Sequence, residues 1–423
     1  MKLIYSFIIG LYRLAIEIAS FFSPKAKLWI NGRKNWQQNI QSKLNGLKSK
    51  PIWFHVSSVG EFEQGKPILE EFRKKYPRIP ILLTFFSPSG FELLKETEDA
   101  DFVFYLPLDS VKNARKFLNL VKPRAAIFIK YEFWLYYFEE LHKLKIPFTL
   151  ISAKLRKDQF FFKWYGKSFS KILLLPNYFF VQDEETKLLL NNVGQKNVLV
   201  TGDTRVDRVN SVLESQKDLE IIEQFKNDQP ILVVGSAWKK ELEFIGTAIN
   251  KNLLDNWKVI IAPHEINEHK IEDLKSTLKT NTVRYYQKPL PEDLKNAQVL
   301  IIDGVGILKY IYKYCDLALI GGGFIDGIHN ILEPAAVGVP SMFGPNHYKF
   351  PEAKELIRRN GGFEIKTETA FLIQLQNLIS NKDKLEAASV NCSNFIAENK
   401  GATNEIMNKL KDRFEKELGA SLR

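Results

Sequence analysis

Short apolar runs recur along the whole chain, and a stretch with helical character follows each of them. A run that is apolar at every position is typical of a strand buried on both faces of a sheet. The alternation of such strands with helices predicts parallel sheets. The predicted strands of the first half span residues 52–56, 81–85, 125–129, 148–151, 178–181 and 198–201. Those of the second half span residues 231–234, 258–262, 299–302, 317–320 and 339–343.

A polar stretch separates the two groups of predicted strands, and a length of 423 residues suits two domains. We therefore predict an α/β protein with two Rossmann-like domains. The carboxyl ends of their parallel sheets are expected to face an interdomain cleft, where ligands bind in this architecture. The predicted parts are an N-terminal anchor helix with a basic flank (1–35), a first domain (36–210), a linker (211–228), a second domain (229–400) and a C-terminal helix (401–423).

The composition excludes several classes of protein. Hydrophobic residues make up 45% of the chain and charged residues 26%, which excludes a disordered chain, a collagen-like fibre and a polytopic membrane protein. Two cysteines, Cys315 and Cys392, are too few for a disulfide framework or a thiolate zinc cluster and indicate a reducing compartment. His264 and His269 stand five residues apart and have no neighbouring set of aspartate or cysteine partners, so we expect no metal there.

The net charge of +11 is concentrated near the N-terminus. Residues 1–50 hold nine basic residues and one acid, so this segment alone carries +8. Within it, residues 3–22 are apolar except for polar side chains at helical spacing, which form one narrow stripe on a helix. The stripe consists of Lys2, Ser6, Arg13, Glu17 and Ser20.

This segment predicts a helix that anchors the chain to an anionic membrane surface, either by lying in the interface or by spanning the bilayer. Trp29 and Trp36 stand among basic residues, a composition typical of the headgroup region. Anionic lipids are therefore expected partners and nucleic acid is not. The alternative is a helix packed on the protein's own core.

Two acidic residues follow predicted strands of the first domain. Glu61 comes after the turn at 57–60, and Glu132 comes soon after the strand at 125–129. A carboxylate at the carboxyl end of a strand can point into the cleft and accept a proton from a sugar hydroxyl. The alternatives are an acid that only complements the helix dipole for Glu61, and a solvated helix start for Glu132.

Three further turns hold candidate binding residues. Arg205 closes the last strand of the first half, where it can face an anion in the cleft or lie on the surface. Ser236 lies in a turn of small residues that suits an oxyanion or a phosphate, or is an ordinary turn. His264, at a strand end, can bond a ligand or a neighbouring backbone group.

A glycine-rich loop at residues 321–324 is the strongest of these signals. It follows a strand and leads into a predicted helix whose first turns carry Asn330 and Glu333. Backbone N–H groups of such a loop can meet a phosphate, and a carboxylate can hold a ribose diol. The alternative is a glycine-rich turn before a core helix.

In their order along the chain, these segments resemble the lipid A 3-deoxy-D-manno-octulosonic acid (Kdo) transferases. The resemblance rests on HVSSVGEFEQGKP, KYEFW, TGDTRVD, GSAW, DGVGILKYIYKYCDLALIGGGF and GIHNILEPAAVGVPSMFGP, and it extends from the N-terminal helix to the last helix. It implies an inverting GT-B glycosyltransferase that moves Kdo from CMP-Kdo to a tetra-acylated lipid A precursor, lipid IVA, in lipopolysaccharide biosynthesis. It also implies the cytoplasmic side of the cell inner membrane, and neither a cofactor nor a metal.

The resemblance assigns Glu61 as the catalytic base, and Glu132 and Arg205 to transition-state stabilisation. The residues expected to contact CMP are Ser236, Pro263, His264, Val305, Gly306, Ile307, Asn330, Ile331, Leu332 and Glu333. Two positions depart from the family pattern: His264 stands where Arg is usual, and Ile307 replaces an acid. The alternatives are a membrane-associated GT-B enzyme with a UDP-sugar donor and a non-catalytic, membrane-tethered binding protein of the same fold.

Overall fold

The structure of the protein, a computed structural model, describes residues 2–214 and 218–418. The chain forms two compact units, one of Met1–Arg208 with Lys400–Arg423 and the other of Val209–Asn399. Each unit contains one seven-stranded sheet with helices packed against it. The prediction of an α/β protein with two parallel-sheet domains is therefore confirmed.

The sheet of the first unit has the strand order β3-β2-β1-β4-β5-β6-β7, and all of its described pairs are parallel. Its strands are β1 (Ile52–Val56), β2 (Ile81–Phe85), β3 (Phe102–Tyr105), β4 (Ala125–Ile129), β5 (Phe148–Ala153), β6 (Tyr178–Val181) and β7 (Val198–Val200). Its helices are α1 (Lys2–Ala19), α2 (Pro24–Asn31), α3 (Trp36–Leu44), α4 (Val59–Lys75), α5 (Pro88–Leu94), α6 (Val111–Val121), α7 (Leu135–Lys143) and α8 (Glu184–Asn192). The next helix, α9 (Thr204–Glu214), begins in this unit and continues past Arg208 into the second. The order reverses between β1 and β4, which makes this pair the switch point of the sheet.

The sheet of the second unit has the order β10-β11-β9-β8-β12-β13-β14, again with parallel pairs throughout its described part. Its strands are β8 (Ile231–Ala237), β9 (Lys258–Pro263), β10 (Thr282–Arg284), β11 (Val299–Ile301), β12 (Leu317–Ile320), β13 (Ser341–Phe343) and β14 (Gly362–Glu364). Its helices are α10 (Glu220–Lys226), α11 (Lys239–Asn250), α12 (Glu268–Thr277), α13 (Pro291–Asn296), α14 (Leu308–Ile311), α15 (Leu332–Ala336), α16 (Pro351–Arg358), α17 (Glu368–Ile379) and α18 (Lys382–Asn399). The switch point lies between β8 and β12.

The last helix, α19 (Ala402–Leu418), returns to the first unit. Its Ile406 and Met407 are buried in the core cluster that also holds residues of β1, β2 and α4. At its start, the carboxylate of Asp207 accepts the backbone N–H groups of Gly401 and Thr403, each at 2.6 Å. These contacts explain why a helix so distant in sequence belongs to the first unit.

The predicted strands are all present, with ends that shift by three residues at most. Each has a continuous apolar run because both of its faces are covered; β1, β2 and β4 are buried at every position. The sequence pattern missed β3, β10 and β14, which lie at sheet edges. An edge strand has a partner on one side only and tolerates polar residues, which are present in β10 and β14. β3 is apolar throughout, so its position at the edge does not explain why the pattern missed it.

The N-terminal helix α1 packs on the first unit through the side that carries Tyr5 and Tyr12, whose rings contact Tyr136, Trp29 and Phe86. The Tyr5 hydroxyl donates to Asp109 Oδ2 at 2.6 Å, and the hydroxyl groups of Ser6 and Tyr136 lie 2.5 Å apart. The opposite, apolar face is exposed to solvent: Leu3, Ile4, Phe7, Ile8, Leu11, Leu14 and Ile18. Among the described helices, none is long and apolar enough to cross a membrane.

Trp29, predicted to lie at the lipid headgroups, is instead buried in the first unit, where the neighbouring basic residue Arg33 packs on its ring. The Arg33 guanidinium stands 4.0 Å from the centre of the Trp29 ring and donates to the backbone oxygens of Leu106 at 2.9 Å and Phe86 at 2.7 Å. Trp29 is only 6% exposed, and Trp36 is half-buried against the core of the same unit. The headgroup prediction for these side chains is wrong because their packing partners come from distant segments.

We expect the substitution Arg33→Met to lower the free energy of unfolding by about 3 kcal/mol, since it leaves two partly buried carbonyl groups without a donor. The matched control is Lys34→Met, which removes an exposed charge from the next position. The control is expected to change stability by no more than about 0.5 kcal/mol. Urea denaturation followed by tryptophan fluorescence measures both, and equal effects of the two substitutions would contradict the buried role of Arg33.

Candidate functional site

The first candidate site lies at the switch point of the first sheet, where β1 and β4 end. β1 ends at Val56, and α4 begins at Val59 with Ser58 as its N-cap residue. Glu61, in the first turn of α4, accepts the backbone N–H groups of Ser57 at 2.5 Å and Ser58 at 3.1 Å, both through Oε2. Glu61 therefore caps the helix in the manner of a capping box, and its carboxyl group still lies at the carboxyl edge of the sheet.

Two opposing effects set the pKa of Glu61. Burial raises it most, the negative charge of Glu132 raises it further, and the result is a pKa of about 7. The N–H groups of Ser57 and Ser58 and the ammonium group of Lys130 act in the opposite direction. A carboxyl group with this pKa is present in both its acidic and its basic form near neutral pH.

Glu132 is buried and accepts a hydrogen bond from the Trp134 ring, so the alternative of a solvated helix start is wrong. It precedes α7, which begins at Leu135, and it is 7% exposed. Its Oε2 lies 3.1 Å from His55 Nε2 and 2.9 Å from Trp134 Nε1. This oxygen is therefore fixed at the end of β4, beside the end of β1.

Arg205 forms an ion pair with Asp203, in the turn after β7. Its guanidinium donates to Asp203 Oδ2 through Nε at 2.9 Å and Nη2 at 2.6 Å. Gln64 Nε2 donates to Asp203 Oδ1 at 3.2 Å, and the Thr204 hydroxyl donates to the Gln64 carbonyl oxygen at 2.6 Å. The turn after β7 is thus pinned to α4, the helix that carries Glu61. The Arg205 side chain is 25% exposed, so it is neither buried nor fully on the surface.

The Tyr131 hydroxyl lies near the charged groups of Glu61, Asp203 and Arg205. Burial raises the pKa of its hydroxyl; the positive charges of Arg156 and Arg205 lower it, and the negative charges of Asp203 and Glu61 raise it. All these charges therefore lie close to one ring. The structure brings the three residues predicted as catalytic, Glu61, Glu132 and Arg205, to one edge of one sheet.

Sequence reasoning missed His55 and Trp134 as members of this cluster. His55 is fully buried in β1, and Trp134 lies just before α7. One signal was available, because a histidine inside an otherwise apolar buried strand must have hydrogen-bond partners. Its partners come from β2 and from the segment after β4, and the sequence pattern alone does not identify them.

The glycine-rich loop of the second unit lies at the switch point between β8 and β12. A Cβ on Gly321 would stand 1.9 Å from the backbone oxygen of Ser236, so only glycine fits there. The N–H group of Gly321 donates to the Gly235 oxygen at 2.9 Å, and that of Gly322 to Oε1 of the buried Glu241 at 3.0 Å. The N–H groups of Gly321 and Gly322 therefore already have acceptors within the second unit.

Pro263 and His264 lie at the end of β9, beside aromatic rings that sequence reasoning missed. The His264 ring stacks on the Trp238 ring with 4.1 Å between centres, and its centre is 4.8 Å from that of His329. Burial and the neighbouring His264 lower the pKa of His329. A cavity of about 640 Å³, lined by Trp238, Pro263, His264 and residues of α11 and α12, opens beside this stack. Its volume falls in the range of small-molecule sites.

The segment before α15 has a different local structure from that predicted. Asn330 Nδ2 donates to Glu333 Oε1 at 3.1 Å, and Asn330 Oδ1 accepts the Leu332 N–H at 3.1 Å. α15 begins at Leu332 and has only five residues, so Asn330 precedes the helix and is not part of its first turn. The side chains of Ile331 and Leu332 are 1% exposed and pack in the core.

The third predicted CMP segment lies at another strand end. Val305, Gly306 and Ile307 form the loop between β11 and α14, with Val305 82% exposed and Gly306 at a φ of 88°. In the sheet, β9 lies between β11 and β8. The predicted CMP residues therefore come from the ends of β8, β9 and β11 and from the segment after β12, along the carboxyl edge of one sheet.

Two parallel α/β units with polar residues gathered at their switch points define a GT-B-like enzyme. The family model of the 3-deoxy-D-manno-octulosonic-acid transferases (kdotransferases) matches residues 34–208. The 3-deoxy-D-manno-octulosonic acid transferase of Aquifex aeolicus (strain VF5) is 31% identical over 342 residues, which cover 79% of this chain and 88% of the relative. The chain therefore belongs to the Kdo transferase family and is a Kdo glycosyltransferase of lipopolysaccharide biosynthesis.

Solved structures support the fold. UDP-GlcNAc 2-epimerase from Neisseria meningitidis, bound to UDP-GlcNAc, has a TM-score of 0.57 and 17% identity, and the match covers 82% of this chain and 99% of the other. A glycosyltransferase from Rickettsia africae ESF-5 has a TM-score of 0.55 and 14% identity, with coverage of 88% and 100%. At these identities the likeness shows the fold alone.

We expect the half-buried carboxyl group of Glu61 to lower the stability of the folded state as the pH rises above the ordinary pKa of 4.5. The unfolded chain loses this proton at the ordinary pKa of 4.5, whereas the folded chain keeps it up to about pH 7. Stability relative to a Glu61→Gln variant therefore falls as the pH rises through this window, by about 3 kcal/mol in total.

Urea denaturation of the wild type and Glu61→Gln at about pH 5 and about pH 8 tests this. The matched control is Glu63→Gln, two residues along α4, where the side chain is 45% exposed and pairs with Arg208. Stability curves of wild type and Glu61→Gln that run parallel between the two pH values would contradict the raised pKa.

Proposed function

We propose that this Kdo transferase is an inverting enzyme that moves Kdo from CMP-Kdo to a hydroxyl group of tetra-acylated lipid A precursor, lipid IVA. The observation that carries this proposal is the Glu61 carboxyl group, with a pKa of about 7, at the switch point of the first sheet. A general base works best when its pKa is close to the working pH, because it is then ionised and still takes up a proton readily.

Glu61 is the proposed base. Its Oε2 accepts the N–H groups of Ser57 and Ser58. Within residues 2–214 and 218–418, no group donates a hydrogen bond to Oε1. Oε1 is thus available to the acceptor hydroxyl. As Oε1 takes the proton, the hydroxyl oxygen attacks the anomeric carbon of Kdo from the side opposite the leaving group. The bond to CMP breaks with its electrons on the phosphate, which inverts the anomeric centre.

Glu132 and Arg205 are the proposed stabilising groups. The carboxylate of Glu132 keeps the pKa of Glu61 high and adds negative charge near an anomeric carbon that becomes electron-poor as CMP leaves. Arg205 is a counter-charge for the Kdo carboxylate or the departing phosphate. Its pairing with Asp203 fixes the guanidinium in position before the donor binds.

The second unit is the proposed site of the CMP moiety. The stacked rings of Trp238 and His264 offer a flat surface for a nucleobase, and the nearby cavity is of suitable size. The Neisseria epimerase with the same fold is described as bound to a nucleotide sugar, UDP-GlcNAc. The proposed contacts are Ser236, Pro263, His264, Val305, Gly306, Ile307, Asn330, Ile331, Leu332 and Glu333. Ile331 and Leu332 contribute backbone groups because their side chains are buried.

A transfer assay with freshly generated CMP-Kdo and tetra-acylated lipid A precursor, read by mass spectrometry, tests the reaction. We expect the mass increment of Kdo with the wild type and a loss of rate of about 100-fold or more in Glu61→Gln, since the base is removed. Glu63→Gln is the matched control and keeps a rate close to wild type. A Glu61→Gln variant that transfers at the wild-type rate would remove the assignment of the base.

Nucleotide binding separates the alternatives. CMP is expected to bind more tightly than UMP, and equal binding would favour a UDP-sugar enzyme. Binding of CMP without any transfer to the acceptor would favour a non-catalytic protein.

The N-terminal helix is the proposed membrane anchor, on the cytoplasmic side of the inner membrane. The exposed apolar face of α1 is wide, and two further exposed aromatics, Phe21 and Phe22, follow it. Basic residues flank the helix, among them Lys25 and Lys27, which attract anionic lipids. Such a helix lies in the interface with its apolar face in the acyl-chain region.

We expect the double substitution Phe7→Glu and Leu11→Glu to abolish binding to vesicles that contain phosphatidylglycerol, because it places charges in the apolar face of α1. Co-sedimentation measures the bound fraction. The matched control is Leu188→Glu with Ile373→Glu, two exposed apolar residues on α8 and α17, which is expected to bind like wild type. Unchanged binding of the α1 variant would place the anchor elsewhere.

A further inference from the structure

The chain between β5 and β6 presents a tryptophan to solvent. We call residues 154–174 the aromatic segment, which contains three short 3₁₀ turns: Phe160–Phe162, Trp164–Gly166 and Ser170–Leu174. Trp164 is 89% exposed, and the adjacent Tyr165 is 62% exposed. The other tryptophans of the chain are buried or half-buried, so Trp164 differs from all of them. A large aromatic side chain left in water indicates a surface that binds a partner.

The aromatic segment is closely packed beneath this exposed tryptophan. The Phe161 ring is buried, and its centre stands 5.1 Å from that of the Phe133 ring. A Cβ on Gly166 would stand 1.6 Å from the backbone oxygen of Phe160, so only glycine fits at that position. The exposure of Trp164 is therefore a property of a packed turn.

Basic residues surround these rings in the sequence. The aromatic segment holds six basic residues and one acid, Asp158. Lys154 pairs with Asp183 at 3.0 Å, and Arg156 pairs with Asp158 at 3.2 Å. In the part of the chain that the structure describes, the remaining four form no ion pair: Lys157, Lys163, Lys167 and Lys171. These four lysines are available to an external anion.

This combination fits the surface of an anionic bilayer. Tryptophan and tyrosine favour the headgroup region, because each has an apolar ring and one polar group that stays in contact with water. Lysines beside such rings are attracted to anionic headgroups, and their long apolar stems accompany the rings into the interface.

The aromatic segment also contacts the same stretch of chain as the proposed anchor helix. On α1, the Ser6 hydroxyl lies 2.5 Å from that of Tyr136, at the start of α7. Phe161 of the aromatic segment packs on Phe133, three residues earlier. Two exposed apolar surfaces therefore adjoin one short stretch, and Glu132 lies in it. This continuity with α1 favours a membrane over a protein as the partner.

We propose that the aromatic segment is a second membrane contact, in which Trp164 and Tyr165 lie in the headgroup region of an anionic bilayer. The four lysines named above bind the lipid phosphates. The contact holds the carboxyl edge of the first sheet at the bilayer surface, where the proposed lipid acceptor is found. The proposal rests on the proposed function for its partner, an anionic membrane, but it does not require α1 to be the anchor.

Tryptophan fluorescence of the full chain tests the position of Trp164. Vesicles of phosphatidylglycerol and phosphatidylcholine are expected to move the emission to shorter wavelength, and phospholipids brominated on their acyl chains are expected to quench it. Both changes are expected to disappear in Trp164→Phe, which still binds the vesicles because the ring remains apolar. The matched control is Trp36→Phe, a half-buried tryptophan of the same unit, which is expected to keep both changes.

Co-sedimentation tests the contribution of the rings and of the lysines. The double substitution Trp164→Glu and Tyr165→Glu is expected to weaken vesicle binding about tenfold or more, because it places charges at the interface. The triple substitution Lys163→Gln, Lys167→Gln and Lys171→Gln is expected to weaken binding to phosphatidylglycerol vesicles by a similar factor. Circular dichroism confirms that each variant is folded.

The control for the lysines removes the same charge elsewhere. The triple substitution Lys251→Gln, Lys279→Gln and Lys384→Gln changes three exposed lysines of the second unit and is expected to bind like wild type. Equal weakening in the two triple variants would reduce the effect to net charge and overturn the assignment of the lysines.

The outcome at Trp164 decides the proposal. A wild-type protein that does not bind vesicles, or that binds them with its emission unchanged, would overturn it. The same spectral changes in Trp164→Phe as in wild type would also overturn it, because the signal would then come from another tryptophan.

The variant with Phe7→Glu and Leu11→Glu separates this proposal from the anchor role of α1. If this variant still binds vesicles and shows the shifted emission, α1 is not the anchor and the aromatic segment is a membrane contact by itself. If it is released from vesicles, and wild type binds without any change at Trp164, α1 alone is the anchor and the aromatic segment has no contact with the membrane.

Discussion

The structure depends on the parallel pairing of strands that are buried on both faces. In a parallel sheet, every strand ends at the same edge, and the helix that follows each strand begins there. Polar residues that come directly after strands therefore gather along one edge, however distant they are in sequence. Glu61 follows β1 and Glu132 follows β4, and these two strands are neighbours because the order of the first sheet reverses between them.

The properties of Glu61 arise from a competition between burial and hydrogen bonding. The N–H groups at the start of α4 stabilise its ionised form, while burial and the charge of Glu132 oppose ionisation. Glu61 caps helix α4 and, with a pKa of about 7, is also suited to proton transfer.

Most strands were predictable from sequence because a strand covered on both faces has to be apolar at every position. The edge strands β10 and β14 were not, since a strand with one partner tolerates polar residues. The candidate residues of the first site were also predictable, because Glu61, Glu132 and Arg205 all stand next to a strand end. Their partners His55 and Trp134 were not identified, because their roles depend on which strands are neighbours.

Local pattern was misleading where side chains meet partners from distant segments. Arg33 and Trp29 have the composition of a membrane-facing segment, yet their partners at Phe86 and Leu106 bury them. The glycines at 321 and 322 have the composition of a phosphate loop, yet their N–H groups are taken by Gly235 and Glu241. In both cases, contacts with distant segments determine what these residues do, and the local composition does not show those contacts.

By itself, the sequence determined the two parallel sheets, the positions of most strands and the polar residues that follow them. These properties depend on short-range patterns of burial, which a chain encodes within a few residues. Only the tertiary structure decided that Glu132 lies beside Glu61, that His55 contacts Glu132, and that Arg33 bonds the backbone oxygens of Phe86 and Leu106. Such contacts depend on strand order, and strand order follows from long-range pairing that no local segment specifies.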